Sequence, residues 1–120
     1  MTPMMGGLIV LGIAVVVFMY MTTKSAPLEV IREALKSGAK VIDVRTSGEF
    51  GGGHFPGAVN IPVDQIAARL DKLGDTSQQF ILYCHSGMRS GSARRILKKS
   101  GFNSVINGGS LHHMMSLAGE

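Results

Sequence analysis

The chain has 120 residues, with 12 Lys and Arg against 8 Asp and Glu, a formal net charge of +4, one cysteine and no tryptophan. A single cysteine excludes an internal disulfide and a cysteine-rich zinc site. A mild basic excess without arginine runs or an aromatic ladder argues against a nucleic-acid partner.

The first segment, residues 4–21 (MMGGLIVLGIAVVVFMYM), is eighteen residues without a charge. At 1.5 Å per residue such a helix just crosses a hydrocarbon core of roughly 30 Å. No basic residue precedes it and no clear Ala-x-Ala site follows, which favours a retained anchor over a cleaved signal. The reading is therefore residues 1–24 as a transmembrane segment with its flanks and residues 25–120 as one domain, too short to be two. The chain is expected to be a single-pass membrane protein. Lys24, Arg32, Lys36 and Lys40 follow the span, partly offset by Glu29 and Glu33. The positive-inside rule then leans towards a cytoplasmic domain, with the periplasmic or extracellular side as the alternative.

Beyond the span, helix and strand alternate. Pro27 opens a helix carrying Leu28, Ile31 and Leu35 on one face, and Gly38 stops it. Residues 40–44 (KVIDV) read as a buried strand, and 46–57 as a glycine-rich loop with one helical turn around Ser47 to Phe50. Residues 58–61 make a second short strand closed by Pro62, and Val63, Ile66, Ala67, Leu70 and Leu73 form the apolar face of a helix over 63–73. Residues 80–84 (FILYC) are the central strand, Arg89 to Ser100 the next helix, Ser104 to Ile106 the last strand, and Ser110 to Leu117 a short terminal helix. Short apolar strands separated by helices predict an α/β fold of three layers, with a mostly parallel sheet covered by helices on both faces.

The lone thiol, Cys84, falls at the carboxyl end of a strand and ahead of a helix, where a parallel-sheet protein places its chemistry. A lone cysteine is often a core residue, but the neighbours His85, Ser86, Gly87, Met88, Arg89 and Ser90 are not a core environment. Loop amides converging on the sulfur, together with Arg89, favour a thiolate and any anion attached to it. Gly87 supplies the left-handed turn such a loop requires. His85 either tunes the thiolate or points outward. Asp43, at a strand end, is placed to accept loop hydrogen bonds or to pair with an arginine. Arg45 and Glu49, four apart, are close enough to pair across a helical turn. His54 reads as structural in preference to a base or ligand. His112 and His113 are neighbours pointing in different directions, with no cysteine or acidic partner close by, so no metal is assigned and no cofactor is called for.

Four fragments occur in order over most of the domain: Val41-Ile42-Asp43-Val44-Arg45; Glu49-Phe50; Gly53-His54-Phe55-Pro56-Gly57-Ala58-Val59-Asn60-Ile61-Pro62; and Tyr83-Cys84-x-x-Gly87-x-Arg89-Ser90. In this order and spacing residues 27 to 118 resemble a single rhodanese domain, the fold of thiosulfate and related sulfurtransferases. The resemblance implies that Cys84 takes a sulfane sulfur from thiosulfate or a persulfide donor, holds it as a persulfide, and passes it to cyanide or a thiol, including a protein thiol. It aligns Arg89 with the closing arginine of the active-site loop, and Asp43, Arg45, Glu49 and His54 with framework positions. Thiolate sulfur suits this chemistry because it is both a soft nucleophile and a leaving partner.

The Cys84-to-Arg89 loop is one residue shorter than that of the tyrosine phosphatases, and no aspartate general acid is identifiable, so phosphatase chemistry is disfavoured. Many rhodanese domains carry an aromatic residue after a Gly-Gly near the C-terminus, whereas here Gly108-Gly109 leads into Ser110-Leu111-His112-His113. The terminal helix is therefore expected to pack differently and to leave one side of the site open. Three readings follow: a sulfurtransferase turning over a small donor; a sulfur carrier, with Met88 on its docking surface, that requires a protein partner; or a rhodanese-like binding module, against which an intact Cys84 and Arg89 argue.

Overall fold

Four short strands form one sheet in the computed structural model, which describes residues 9–17 and 24–119. The elements are α1 (Leu28–Lys36), β1 (Lys40–Asp43), α2 (Ser47–Gly51), β2 (Val59–Asn60), α3 (Val63–Ile66) continuing as a 3-10 turn (Ala67–Lys72), β3 (Phe80–Cys84), α4 (Met88–Lys99), β4 (Val105–Ser110) and α5 (Leu111–Met115). The strand order is β2-β1-β3-β4 and every pairing is parallel. The expected small α/β fold with a parallel sheet is what the chain adopts.

Strand β3 explains the layering. All five of its residues are buried, but successive side chains point to opposite faces. Phe80, Leu82 and Cys84 join Ile42, Ile66, Ala93 and Leu97 in the layer under α3 and α4. Ile81 and Tyr83 join Ile31, Ala34, Phe55 and Met114 in the layer under α1 and α5. A strand covered on both sides has no polar face to expose, hence its unbroken apolar run.

Between Leu82 and Tyr83 the β3–β4 register shifts, with Leu82 opposite Asn107 and Tyr83 opposite Gly109. Gly108 is the extra residue of this bulge. A Cβ there would lie 2.7 Å from Met114 Sδ and 2.9 Å from Ile81 Cγ2, so any larger residue would force these side chains to shift. Met114, wholly buried on α5, thus packs directly on the backbone of the bulge.

Two expectations are corrected. Residues 63–73 are not one α-helix: Arg69 (φ −118°, ψ 15°) departs from helical geometry, and the second half winds as a 3-10 helix. The transmembrane anchor over 4–21 is not supported either. Its described part is a nine-residue helix, 9–17, with exposed side chains. Residues 4–8 and 18–21 lie outside the described residues. Among the described residues no helix is long and apolar enough to cross a membrane. The single-pass location, and the membrane as a partner, fall with the anchor.

Candidate active site

Cys84 closes β3, and the chain turns through His85, Ser86 and Gly87 into α4. Gly87 takes φ +93°, a left-handed conformation that costs other residues energy, and is the N-cap of α4. The turn folds the backbone over the sulfur. Gly87 N–H donates to Cys84 Sγ at 3.0 Å and Ser90 N–H at 3.5 Å. Ser90 Oγ lies 3.5 Å from the same sulfur. Met88 N–H turns aside to Ser86 Oγ at 3.4 Å. Cys84 is wholly buried. That burial pushes the thiol up, but the Ser90 hydroxyl and the amides of Ser90, Ser86 and Gly87 outweigh it, and the net shift is downward. The positive end of α4 points the same way.

A buried amide holds the loop. Asn107, on β4, accepts from Ser90 Oγ at 2.7 Å and from Gly109 N–H at 3.0 Å through Oδ1. Its Nδ2 donates to the Gly87 carbonyl at 3.1 Å. One side chain therefore fixes both ends of the cradle. Sequence reasoning missed Asn107; the available signal was a lone carboxamide between the apolar pair Val105-Ile106 and two glycines.

Arg89 leaves the first turn of α4 and reaches α2. Its Nη1 and Nη2 donate to Oε1 and Oε2 of Glu49 at 2.7 and 3.0 Å, a bidentate pair about one third exposed on each side. Thr46 N–H and Oγ1 also donate to Glu49 Oε1, while Thr46 Oγ1 accepts from Glu49 N–H, a capping box at the start of α2. The Arg89 hydrogen bonds, then those of Thr46, lower Glu49 to about 2. The Arg45–Glu49 pair suggested by spacing is absent, because α2 begins only at Ser47 and Arg45 precedes its cap.

Arg45 turns instead to Asp43. Its backbone N–H and Nε donate to Asp43 Oδ1 at 2.9 and 3.0 Å, and Nη2 to Oδ2 at 2.7 Å and to the Gly53 carbonyl at 2.7 Å. Tyr83 Oη donates to Asp43 Oδ2 at 2.6 Å and accepts from Phe55 N–H at 2.9 Å. Burial, then the Asp43 hydrogen bond, pushes the Tyr83 phenol up to about 12. This network braces the 53–55 loop from the sheet face opposite Cys84. His54 is exposed, stacks on Phe50 at 3.7 Å, and bonds the Phe50 carbonyl through Nδ1 at 3.0 Å. His85, Ser86 and Met88 are exposed around the sulfur cradle. His113 Nε2 lies 2.9 Å from the Ala26 carbonyl. Among the described residues no cluster of three or more His, Cys, Asp or Glu is placed to hold a metal.

The structure thus gathers Cys84, Gly87 and Ser90 at the sulfur, sets Arg89 with Glu49 beside them, and leaves Asp43, Arg45 and His54 apart. Residues 27–111 match the rhodanese-like domain family. The chain is 42% identical over 67 residues to "Putative sulfur carrier protein YrkF" of Bacillus subtilis (strain 168), covering 56% of this chain and 36% of that protein. It is 35% identical over 71 residues to thiosulfate sulfurtransferase PspE of Escherichia coli (strain K12), covering 58% of this chain and 68% of that one. Among solved structures, a rhodanese with anions from E. coli aligns with a TM-score of 0.61 at 32% identity, over 63% of this chain and 91% of that chain. The human single-domain sulfurtransferase TSTD1 shares the fold, with a TM-score of 0.64 at 24% identity over 77% and 95% of the two chains. The chain spans about a third to a half of the first curated relatives it matches, 36% of YrkF and 54% of the B. subtilis protein YqhL.

Proposed function

The chain belongs to the rhodanese-like domain family, within the rhodanese sulfurtransferase superfamily, and on that premise we propose that it is a sulfur carrier in which Cys84 relays a sulfane sulfur to the thiol of a protein partner. The observation that carries this reading is the sulfur of Cys84 lying under the amides of Gly87 and Ser90 at the mouth of α4, with its thiol below the ordinary value. In loading, the Cys84 thiolate attacks the outer sulfur of the donor; a new S–S bond forms, the donor's S–S bond breaks, and the donor's remainder leaves with the electron pair. The persulfide keeps the negative charge on its outer sulfur, where the same amides stabilise it. In unloading, an acceptor thiolate attacks that outer sulfur and Cys84 leaves as thiolate. No metal or external oxidant enters either balance.

A second reading, turnover of thiosulfate without a protein partner, is favoured by the likeness to PspE, a thiosulfate sulfurtransferase by name. One experiment separates the two. The reduced full chain is incubated with thiosulfate or a low-molecular-weight persulfide, its intact mass is read, and cyanide is added with thiocyanate detection, beside Cys84→Ser. An adduct of one sulfur atom, removed by cyanide and absent from the variant, supports the persulfide relay. Many equivalents of thiocyanate per chain from thiosulfate alone would support the second reading instead. Sulfur transfer retained by Cys84→Ser would refute both.

A further inference from the structure

We propose that Glu49 sets the charge class of the sulfur donor, by neutralising Arg89 so that the site disfavours multiply charged inorganic donors and admits donors of low charge, such as the persulfide of a thiol. The inference rests on the sulfur-carrying reading above and deepens it. An arginine one turn into α4 would ordinarily serve as the cation for an incoming dianion. Here Nη1 and Nη2 are each bonded to one oxygen of Glu49, in the parallel fork that guanidinium and carboxylate form best.

The carboxylate is not a loose surface partner. Thr46 holds it from the other side through its backbone N–H and its hydroxyl, each 3.1 Å from Oε1. With Glu49 lowered to about 2 and Arg89 raised, the pair stays ionised throughout the neutral range, so pH does not release it. A thiosulfate dianion would meet a neutral ion pair and the negative oxygens of Glu49, or would have to displace Glu49 from both guanidinium nitrogens. A thiol persulfide carries at most one charge on its sulfur and needs no second cation. For it the amides of Gly87 and Ser90 suffice.

The chemistry balances for both classes. With thiosulfate, the Cys84 thiolate takes the outer sulfur and sulfite departs with the bonding pair. With methanethiosulfonate, the same bond forms and methanesulfinate departs. The two donors differ by one negative charge on the leaving group, which makes their ratio a probe of rim electrostatics.

The test compares kcat/KM for thiosulfate and for methanethiosulfonate in the full chain, with cyanide as acceptor, for wild type, Glu49→Gln and Glu49→Asp. Glutamine retains the capping-box function but carries no charge. From a Coulomb energy of about 1 kcal/mol between unit charges about 4 Å apart in high dielectric, removing one carboxylate should raise the thiosulfate-to-methanethiosulfonate ratio roughly fivefold. The gain should shrink as salt is raised, because it is a screened attraction to the freed Arg89. Aspartate keeps the charge while weakening the cap, so its ratio should stay within about twofold of wild type, tracking charge and not helix integrity. An unchanged ratio in Glu49→Gln, or an equal rise in Glu49→Asp, overturns the role given to Glu49 and leaves the relay at Cys84 standing. No cyanide-labile sulfur on the wild-type chain from either donor overturns the relay itself, and this inference with it.

Discussion

Asn107→Ala removes the side chain that ties the sulfur cradle to β4, and its effect can be worked from three bonds. The Ser90 hydroxyl loses a 2.7 Å acceptor, Gly109 N–H loses a 3.0 Å acceptor, and the Gly87 carbonyl loses a 3.1 Å donor. These losses are not equal. The Gly87 carbonyl keeps the helical bond from Gly91 N–H at 3.0 Å, and the Ser90 hydroxyl can turn its hydrogen to Cys84 Sγ, 3.5 Å away. Gly109 N–H, in its buried position, loses its Asn107 acceptor outright. The loss of these three bonds around buried groups costs about 2–3 kcal/mol, or roughly 10–20 °C in Tm for a domain of this size. Urea unfolding of the full chain should show that loss with an unchanged m-value.

The same variant should lower the Cys84 thiol further, because the Ser90 hydroxyl hydrogen, shared in the native chain between Asn107 Oδ1 and Cys84 Sγ, is then left to the sulfur alone. Since the folded thiol already lies below its unfolded value, its contribution to stability is complete above the unfolded pKa and fades as pH falls through the folded one. Asn107→Ala should extend that window to lower pH, read as a downward shift in the pH midpoint of alkylation. Asn107→Asp, which keeps an acceptor but adds a charge near the sulfur, should move the midpoint upward. A stability loss below about 1 kcal/mol in Asn107→Ala, or shifts of the same sign in both variants, would refute the clamp.

Two further changes test the turn and the brace separately. Gly87→Ala forces a Cβ into φ +93°, at a cost of about 1–2 kcal/mol, and displaces the amide nearest the sulfur. Loading with sulfane sulfur, followed by intact mass, should slow at least several-fold; equal loading rates would show that the Gly87 amide does not matter. Tyr83→Phe deletes the 2.6 Å bond to Asp43 and the acceptor for Phe55 N–H. It should cost about 2 kcal/mol in urea unfolding while loading stays within about twofold, and a loss under about 0.5 kcal/mol would show that the brace is not needed.

What the sequence made legible depended on whether the signal was local. FILYC, bounded by polar turns, reads as a buried strand, and the Cys84-to-Ser90 loop reads as an anion cradle, because each is set by its own residue types. The 3-10 winding after Ile66 was not readable. No glycine or proline interrupts residues 63–73, and apolar spacing alone does not separate 3.0 from 3.6 residues per turn. The ion pairs were harder, since Glu49 finds its partner forty positions away and not at the local spacing offered by Arg45. Apolar length misled at the N-terminus, because a hydropathic run records composition and not conformation, and among the described residues no helix is long and apolar enough to cross a membrane. Gly108-Gly109 was read for the aromatic it lacks, whereas its structural content is a bulge on which Met114 packs.

Sheet register connects these observations. Asp43 stands opposite Tyr83 and Tyr83 opposite Gly109, so the brace of Asp43, Arg45 and Tyr83 assembles on one face. Cys84, the next residue along β3, must then point to the other face, towards Ser90. Adjacent residues of one strand thereby hold the surrounding loops and carry the reactive sulfur without competing for space. A one-residue slip of β3 would exchange them, sending the thiol into the brace and the phenol into the cradle. The Tyr83 bond to Asp43 opposes that slip, because a displaced β3 would withdraw the phenol from Asp43 Oδ2 and leave Phe55 N–H without its acceptor, while Arg45, two residues from Asp43 on the same segment, would stay bonded to it. The bulge at Gly108 works to the same end on β4: it lets Leu82 pair with Asn107 while Tyr83 pairs with Gly109. On this account the network on the sheet face opposite the sulfur helps fix the position of the sulfur, and the test of Tyr83→Phe separates its contribution to stability from any contribution to transfer.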